Sequence, residues 1–123
     1  MRVIRSTLLA CALLAISVPQ ALAWNPGERV LGLWKDTFWY PATVSSKAGN
    51  SYKLTFDDGD TLTVKANQIK KITWETGSVL QCRWNNGEVY YRGKITAMEG
   101  ESIQFHFDDG DQVTATISIC RGK

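Results

Sequence analysis

The sequence predicts an all-β protein built as two tandem five-stranded barrels. Three observations carry this. The run FDDGD occurs at 56–60 and again at 107–111, each time after a tryptophan (Trp34, Trp84) and a tyrosine (Tyr40, Tyr91) at nearly the same spacing. A repeat at a fixed period marks two copies of one unit. Apolar residues alternate in Tyr52, Leu54, Phe56 and in Ile103, Phe105, Phe107, the period of a half-buried strand. Turn dipeptides then cut the chain into short pieces, and no window after residue 23 has a helical period.

Each element follows from the alignment of the copies. Gly27 matches Gly77 and Trp34 matches Trp84, whereas Tyr40, Val44 and Phe56 match Tyr91, Ile95 and Phe107 one residue later. One residue is therefore inserted in the turn after Trp84. The expected strands of copy one are 29–34, 39–46, 51–56, 61–65 and 69–72. Those of copy two are 79–84, 89–98, 102–107, 112–115 and 118–121. Between them stand Gly49-Asn50, Asp58-Gly59, Asn86-Gly87, Glu99-Gly100 and Asp109-Gly110, pairs that tolerate the positive φ of tight hairpins. Five short strands in some fifty residues imply a strongly bent barrel, and units that small usually need a staple or a partner surface. The barrels are expected at 24–73 and 74–123. The linker after copy one is too short to let them tumble freely, and Trp74 is expected to pack between them with copy one leaning on copy two.

Residues 1–23 read as a signal peptide. Arg2 and Arg5 precede an apolar run from 8 to 18, Pro19 breaks it, and Ala21-Leu22-Ala23 offers small residues for cleavage before Trp24. The run falls short of the roughly 20 residues that cross a bilayer, so no transmembrane segment is expected in the mature chain. Cleavage would leave 100 residues with 12 basic and 12 acidic side chains. A neutral chain without a basic run has no electrostatic footprint for nucleic acid. An exported chain, periplasmic or secreted, also suits the two remaining cysteines. Cys82 aligns with Gly32 in the first strand and Cys120 with Ile69 in the last, strands that meet when a barrel closes. A Cys82–Cys120 disulfide would thus staple copy two alone. No cofactor and no metal is expected, since no His/Cys cluster exists and DDGD lacks the alternate ligands of a calcium loop.

The order of these residues resembles a tandem Tudor domain, an SH3-like barrel family. Copy one reads GERVLGLW, FWYPATV, SYKLTFDDGD; copy two reads GSVLQCRW, NNGEVYYRGKI, IQFHFDDGD. The similarity is strongest to tandem-Tudor readers of methylated lysine. It implies an aromatic cage with an acidic edge, formed by Trp34, Tyr40, Phe56 and Asp58 in copy one and by Trp84, Tyr91, Phe107 and Asp109 in copy two. Ring faces attract a cation and a carboxylate complements its charge. Such readers often carry a fourth aromatic after the glycine; here the residues are Asp60 and Asp111. That opens the cage, makes it more acidic and tilts it toward arginine or an unmethylated amine.

Each of these residues also has a plainer use. The tryptophans and tyrosines can fill a small core, Phe56 and Phe107 suit the interior, and both Asp-Gly pairs suit hairpin turns. His106 faces away from Phe105 and Phe107 with no nucleophile to pair with, which argues against an enzyme. Trp24 and Trp39 offer an aromatic platform for sugar rings. The expectation is therefore a non-catalytic exported binding protein whose partner is a protein or peptide with cationic side chains. A cell-wall or glycan-binding SH3-like module and an envelope-assembly protein are the alternatives. The oligomeric state is open.

Overall fold

The computed structural model describes residues 23–123, so the segment read as a signal peptide lies outside the described residues except for Ala23. The chain forms two five-stranded antiparallel sheets. The first contains β1 (Arg29–Leu33), β2 (Trp39–Ala48), β3 (Ser51–Phe56), β4 (Thr61–Lys65) and β5 (Ile69–Lys70), in the order β4-β3-β2-β1-β5. The second contains β6 (Val79–Arg83), β7 (Tyr90–Glu99), β8 (Ser102–Phe107), β9 (Gln112–Thr116) and β10 (Cys120–Arg121), in the matching order β9-β8-β7-β6-β10. Among the described residues no helix is long and apolar enough to cross a membrane.

Each sheet curls around its own core. Val30, Ala42, Val44, Tyr52, Leu54, Phe56, Val64 and Ile69 fill the first. Leu80, Cys82, Ile95, Ile103, Phe105, Phe107, Ile117 and Cys120 fill the second. In the long second strands the register is interrupted between Val44 and Ser46 and again between Ile95 and Ala97, the kind of irregularity that bends a strand. First and last strands meet as expected: Gly32 pairs with Ile69, and Cys82 pairs with Cys120 and is bonded to it.

The last strands are shorter than the alternation predicts. A 3-10 helix precedes each one, Ala66–Gln68 and Ile117–Ile119, so Ser118 is not in a strand. Thr116 caps the second of these: its hydroxyl accepts from the Ser118 amide, and Ile117 is fully buried. Trp34 and Trp84 stand just beyond β1 and β6, in the turns. Val89 also precedes its strand rather than opening it.

The two barrels pack side by side. Leu31 and Pro41 face each other across β1 and β2, point away from the first core and are nonetheless fully buried. Strand β2 packs on β10 and on the 3-10 helix Ile117–Ile119. Gly122 extends that contact by exchanging two backbone hydrogen bonds with Trp39, of 2.8 and 3.0 Å. Trp74 is partly buried against the second core and lies against Gly122, the residue that pairs with Trp39 of the first barrel.

Candidate functional site

The first set of predicted residues converges. Trp34 stands in the β1–β2 turn, closed by Trp34 N–H to Phe38 O (2.9 Å) and Thr37 N–H to Trp34 O (2.9 Å). Tyr40 lies on β2 and Phe56 ends β3. Trp34 meets Phe56 edge-to-face with centroids 5.1 Å apart, and Tyr40 meets it at 6.4 Å. Phe56 is 4% exposed and serves as floor, while Trp34 and Tyr40 are half-buried walls. Gly32 makes room for this floor, because a Cβ there would sit 2.5 Å from Leu54 Cδ1 and 3.1 Å from the Phe56 ring.

The acidic side is the β3–β4 hairpin. Phe56 N–H donates to Asp60 O and Gly59 N–H to Phe56 O, both at 2.8 Å, with Gly59 at φ 97°. Asp58 Oδ1 accepts from the Asp60 amide at 2.9 Å. Asp58 Oδ1 thus closes the turn, and the residue also lines the cleft. These residues line a cavity of about 270 Å³ together with Pro41, Asp57 and Asp60.

The rest of the lining was not foreseen. Arg83, Glu88, Tyr90 and Ser118 come from the second barrel, so the cleft lies between the barrels. Tyr90 meets Tyr40 edge-to-face at 6.1 Å. The Tyr40 hydroxyl donates to Asp36 Oδ2 at 2.5 Å and accepts from Arg121 Nη1 at 3.0 Å. Burial and the Asp36 hydrogen bond push the Tyr40 phenol up to about 12, against the opposing pull of Arg121.

Asp57 is held differently from its neighbours. Its carboxylate makes a two-pronged pair with Arg29 (2.6 and 2.8 Å) and accepts from Ser118 Oγ at 2.6 Å. Burial pushes its pKa up, but the bonds from Arg29 and Ser118 outweigh burial and leave it below the usual carboxylate range. Asp57 is thus spent on structure. Asp58, Asp60 and Glu88 are the carboxylates left to the cleft.

The second set repeats the ring geometry. Trp84 meets Phe107 at 5.6 Å and Tyr91 meets it at 6.5 Å, both edge-to-face. The following turn repeats too, with Asp109 Oδ1 accepting from the Asp111 amide at 2.9 Å. Its setting differs. Trp84 is 39% exposed and Tyr91 51%, so this array lies open on the surface. Trp24 and Trp39, expected as a platform, are each half-buried. Trp24 packs on the first core, and Trp39 is bridged to Gly122 with Lys70 Nζ 4.2 Å above its ring. Among the described residues no group of His, Cys, Asp and Glu is placed to hold a metal ion.

Twin barrels with an aromatic and acidic cleft are consistent with a binding module. Residues 26–72 match the family described as the DNA repair protein Crb2 Tudor domain. Among solved structures the chain is similar to the crystal structure of Crb2 tandem tudor domains, at 23% identity over 82% of this chain and 81% of that one, with a TM-score of 0.56. It also aligns with the crystal structure of Arabidopsis thaliana AGDP1 AGD34, at 15% identity over 100% of this chain and 92% of that one, with a TM-score of 0.42. No curated protein matches the sequence. Residues 26–72 thus match a Tudor family model, and the two barrels together have a fold similar to that of tandem tudor domains. Tudor domains are typically non-catalytic binding modules.

Proposed function

We propose that this protein is an exported, non-catalytic binding protein, periplasmic or secreted, whose inter-barrel cleft takes a cationic side chain of a partner protein. The ligand is a lysine or arginine, methylated or not. The observation that carries this is the cleft itself: the Trp34 and Tyr40 walls, the Phe56 floor, and Asp58 and Asp60 on one side within about 270 Å³. That volume suits one long side chain rather than a folded surface. Tudor readers bind methylated peptides, which supports the same class of ligand. The aspartates favour a cation that also donates hydrogen bonds, as arginine and unmodified lysine do.

Fluorescence titration with short peptides bearing one arginine, lysine or dimethyl-lysine tests this. Wild-type protein binds at least one of them, and Trp34→Ala weakens that binding about tenfold, the loss of one cation–π wall. Equal affinity in Trp34→Ala overturns the assignment. One observation favours a second reading. Trp84 and Tyr91 expose a ring pair of the kind that stacks on sugars, so a cell-wall or glycan contact would sit on the second barrel. Pulldown on peptidoglycan that is lost in Trp84→Ala and kept in Trp34→Ala would establish it.

A further inference from the structure

Arg83 lines the cleft, and a cationic ligand alone gives it no purpose. It ends β6 directly opposite Tyr90, so both side chains leave the sheet on one face. Gln81 and Arg121, paired across β6 and β10, stand on that face too. The face is turned toward the first barrel, and its two arginines have different fates. Arg121 is consumed by the barrel contact. It donates to Gln81 Oε1 and to the Tyr40 hydroxyl, both at 3.0 Å, pairs with Asp36 at 3.4 Å, and lies 4.0 Å from the Phe38 ring and 4.1 Å from that of Tyr90. Arg83 is half-buried, yet among the described residues it makes no ion pair within 4.0 Å and no side-chain hydrogen bond, although Asp58, Asp60 and Glu88 line the same cleft.

We propose that Arg83 is the seat for a carboxylate on the ligand, so that the cleft reads a cationic side chain together with an acidic neighbour on the same peptide. This rests on the reading that the cleft takes a cationic side chain, and it adds the second half of the recognition. A guanidinium presents a planar fork of donors matched to a carboxylate. It repels a ligand that carries positive charge alone. A peptide with both charges satisfies both ends: its cation faces the rings and the aspartates of the first barrel, and its carboxylate faces Arg83 of the second. The second barrel then sets specificity, not merely stability.

The test uses capped eight-residue peptides with a single central arginine or lysine, flanked on both sides by Glu in one series and by Gln in the other. Wild-type protein binds the Glu-flanked peptides about fivefold more tightly, the scale of a half-exposed charge-assisted pair. In Arg83→Gln the preference reverses, because Asp58, Asp60 and Glu88 then repel the flanking carboxylates unopposed. The melting midpoint of Arg83→Gln stays near the wild-type value, since no ion pair or side-chain hydrogen bond among the described residues is lost. Equal affinity for the two series, or a Glu preference that survives in Arg83→Gln, overturns the proposal. Binding that depends on Trp34 without a flanking preference overturns the role of Arg83 and leaves the cation cleft standing. Binding of no peptide overturns both.

Discussion

Thr37 holds a φ of 71° in the turn that carries Trp34. A β-branched residue is a genuine outlier there, and such strain costs about 1–3 kcal/mol. The second barrel meets the same need with Asn85 and Asn86, at φ 54° and 61°, and asparagine tolerates this region. Little offsets the cost at Thr37, whose hydroxyl reaches only Lys123 Nζ at 3.5 Å. Thr37→Gly relieves the strain at the expense of a more flexible unfolded chain. It is expected to stabilise the protein by about 1 kcal/mol. Urea unfolding checks this, and a lower midpoint in the glycine variant would show that the threonine is not strained. Because the turn positions a cleft wall, peptide affinity should hold or improve.

At the scale of elements, β10 is two residues long and carries more than its length. It holds Cys120, bonded to Cys82 with Cα atoms 4.0 Å apart, and it leads into Gly122, which pairs with Trp39 of the first barrel. The sequence separation of 38 gives a loop whose closure is worth about 3–4 kcal/mol. The double variant Cys82→Ser, Cys120→Ser should lose stability on that scale, and the Trp39 amide should exchange faster as the bridge loosens. Unchanged exchange would mean that the bridge does not depend on the staple. Much of this level was readable beforehand. Strands β3, β4 and β8 match the alternation to the residue, and the Cys82–Cys120 pair follows from the repeat. The 3-10 helix at Ile117–Ile119 was not readable, because Ile-Ser-Ile alternates like a strand and the bonds that accompany the turn, Ser118 N–H to the Thr116 hydroxyl and Ile117 N–H to Glu101 O, form only in the folded chain. The cleft was half readable. Internal similarity marks what both barrels share, which is the rings and the Asp-Gly turn. Arg83, Glu88, Tyr90 and Ser118 enter through the contact between barrels, where the copies differ. The signal lay in that difference: Leu31 and Pro41 stand where the second copy has Gln81 and Arg92, which marks the packed face of the first barrel.

Both barrels line the cleft, so the cleft exists only while they stay docked, and an ion cluster holds its edge. Arg29 binds Asp57 within its own barrel and reaches Glu101 of the other at 2.8 and 3.1 Å, and Ser118 closes the cluster on Asp57. The corresponding Asp108 of the second barrel pairs instead with Arg92, the two side chains are 55% and 63% exposed, and among the described residues they make no further ion pair, so this pair should contribute little. The Asp57 side chain, by contrast, is 15% exposed. Because its folded pKa lies below the unfolded value of about 3.9, its contribution is present above that pH. It is lost as pH falls through the folded pKa. Wild-type protein should therefore lose thermal stability more steeply below about pH 4 than Asp57→Asn, which is destabilised at neutral pH but lacks this ionisation. Melting midpoints of the two proteins between pH 2 and 6 should converge as the pH falls. Parallel curves would remove Asp57 from the acid response and place the docking energy in Leu31 and Pro41. Convergence would tie the cleft to the cluster, because Asp57 and Ser118 belong to both, and peptide binding at Trp34 should then weaken over the same pH range.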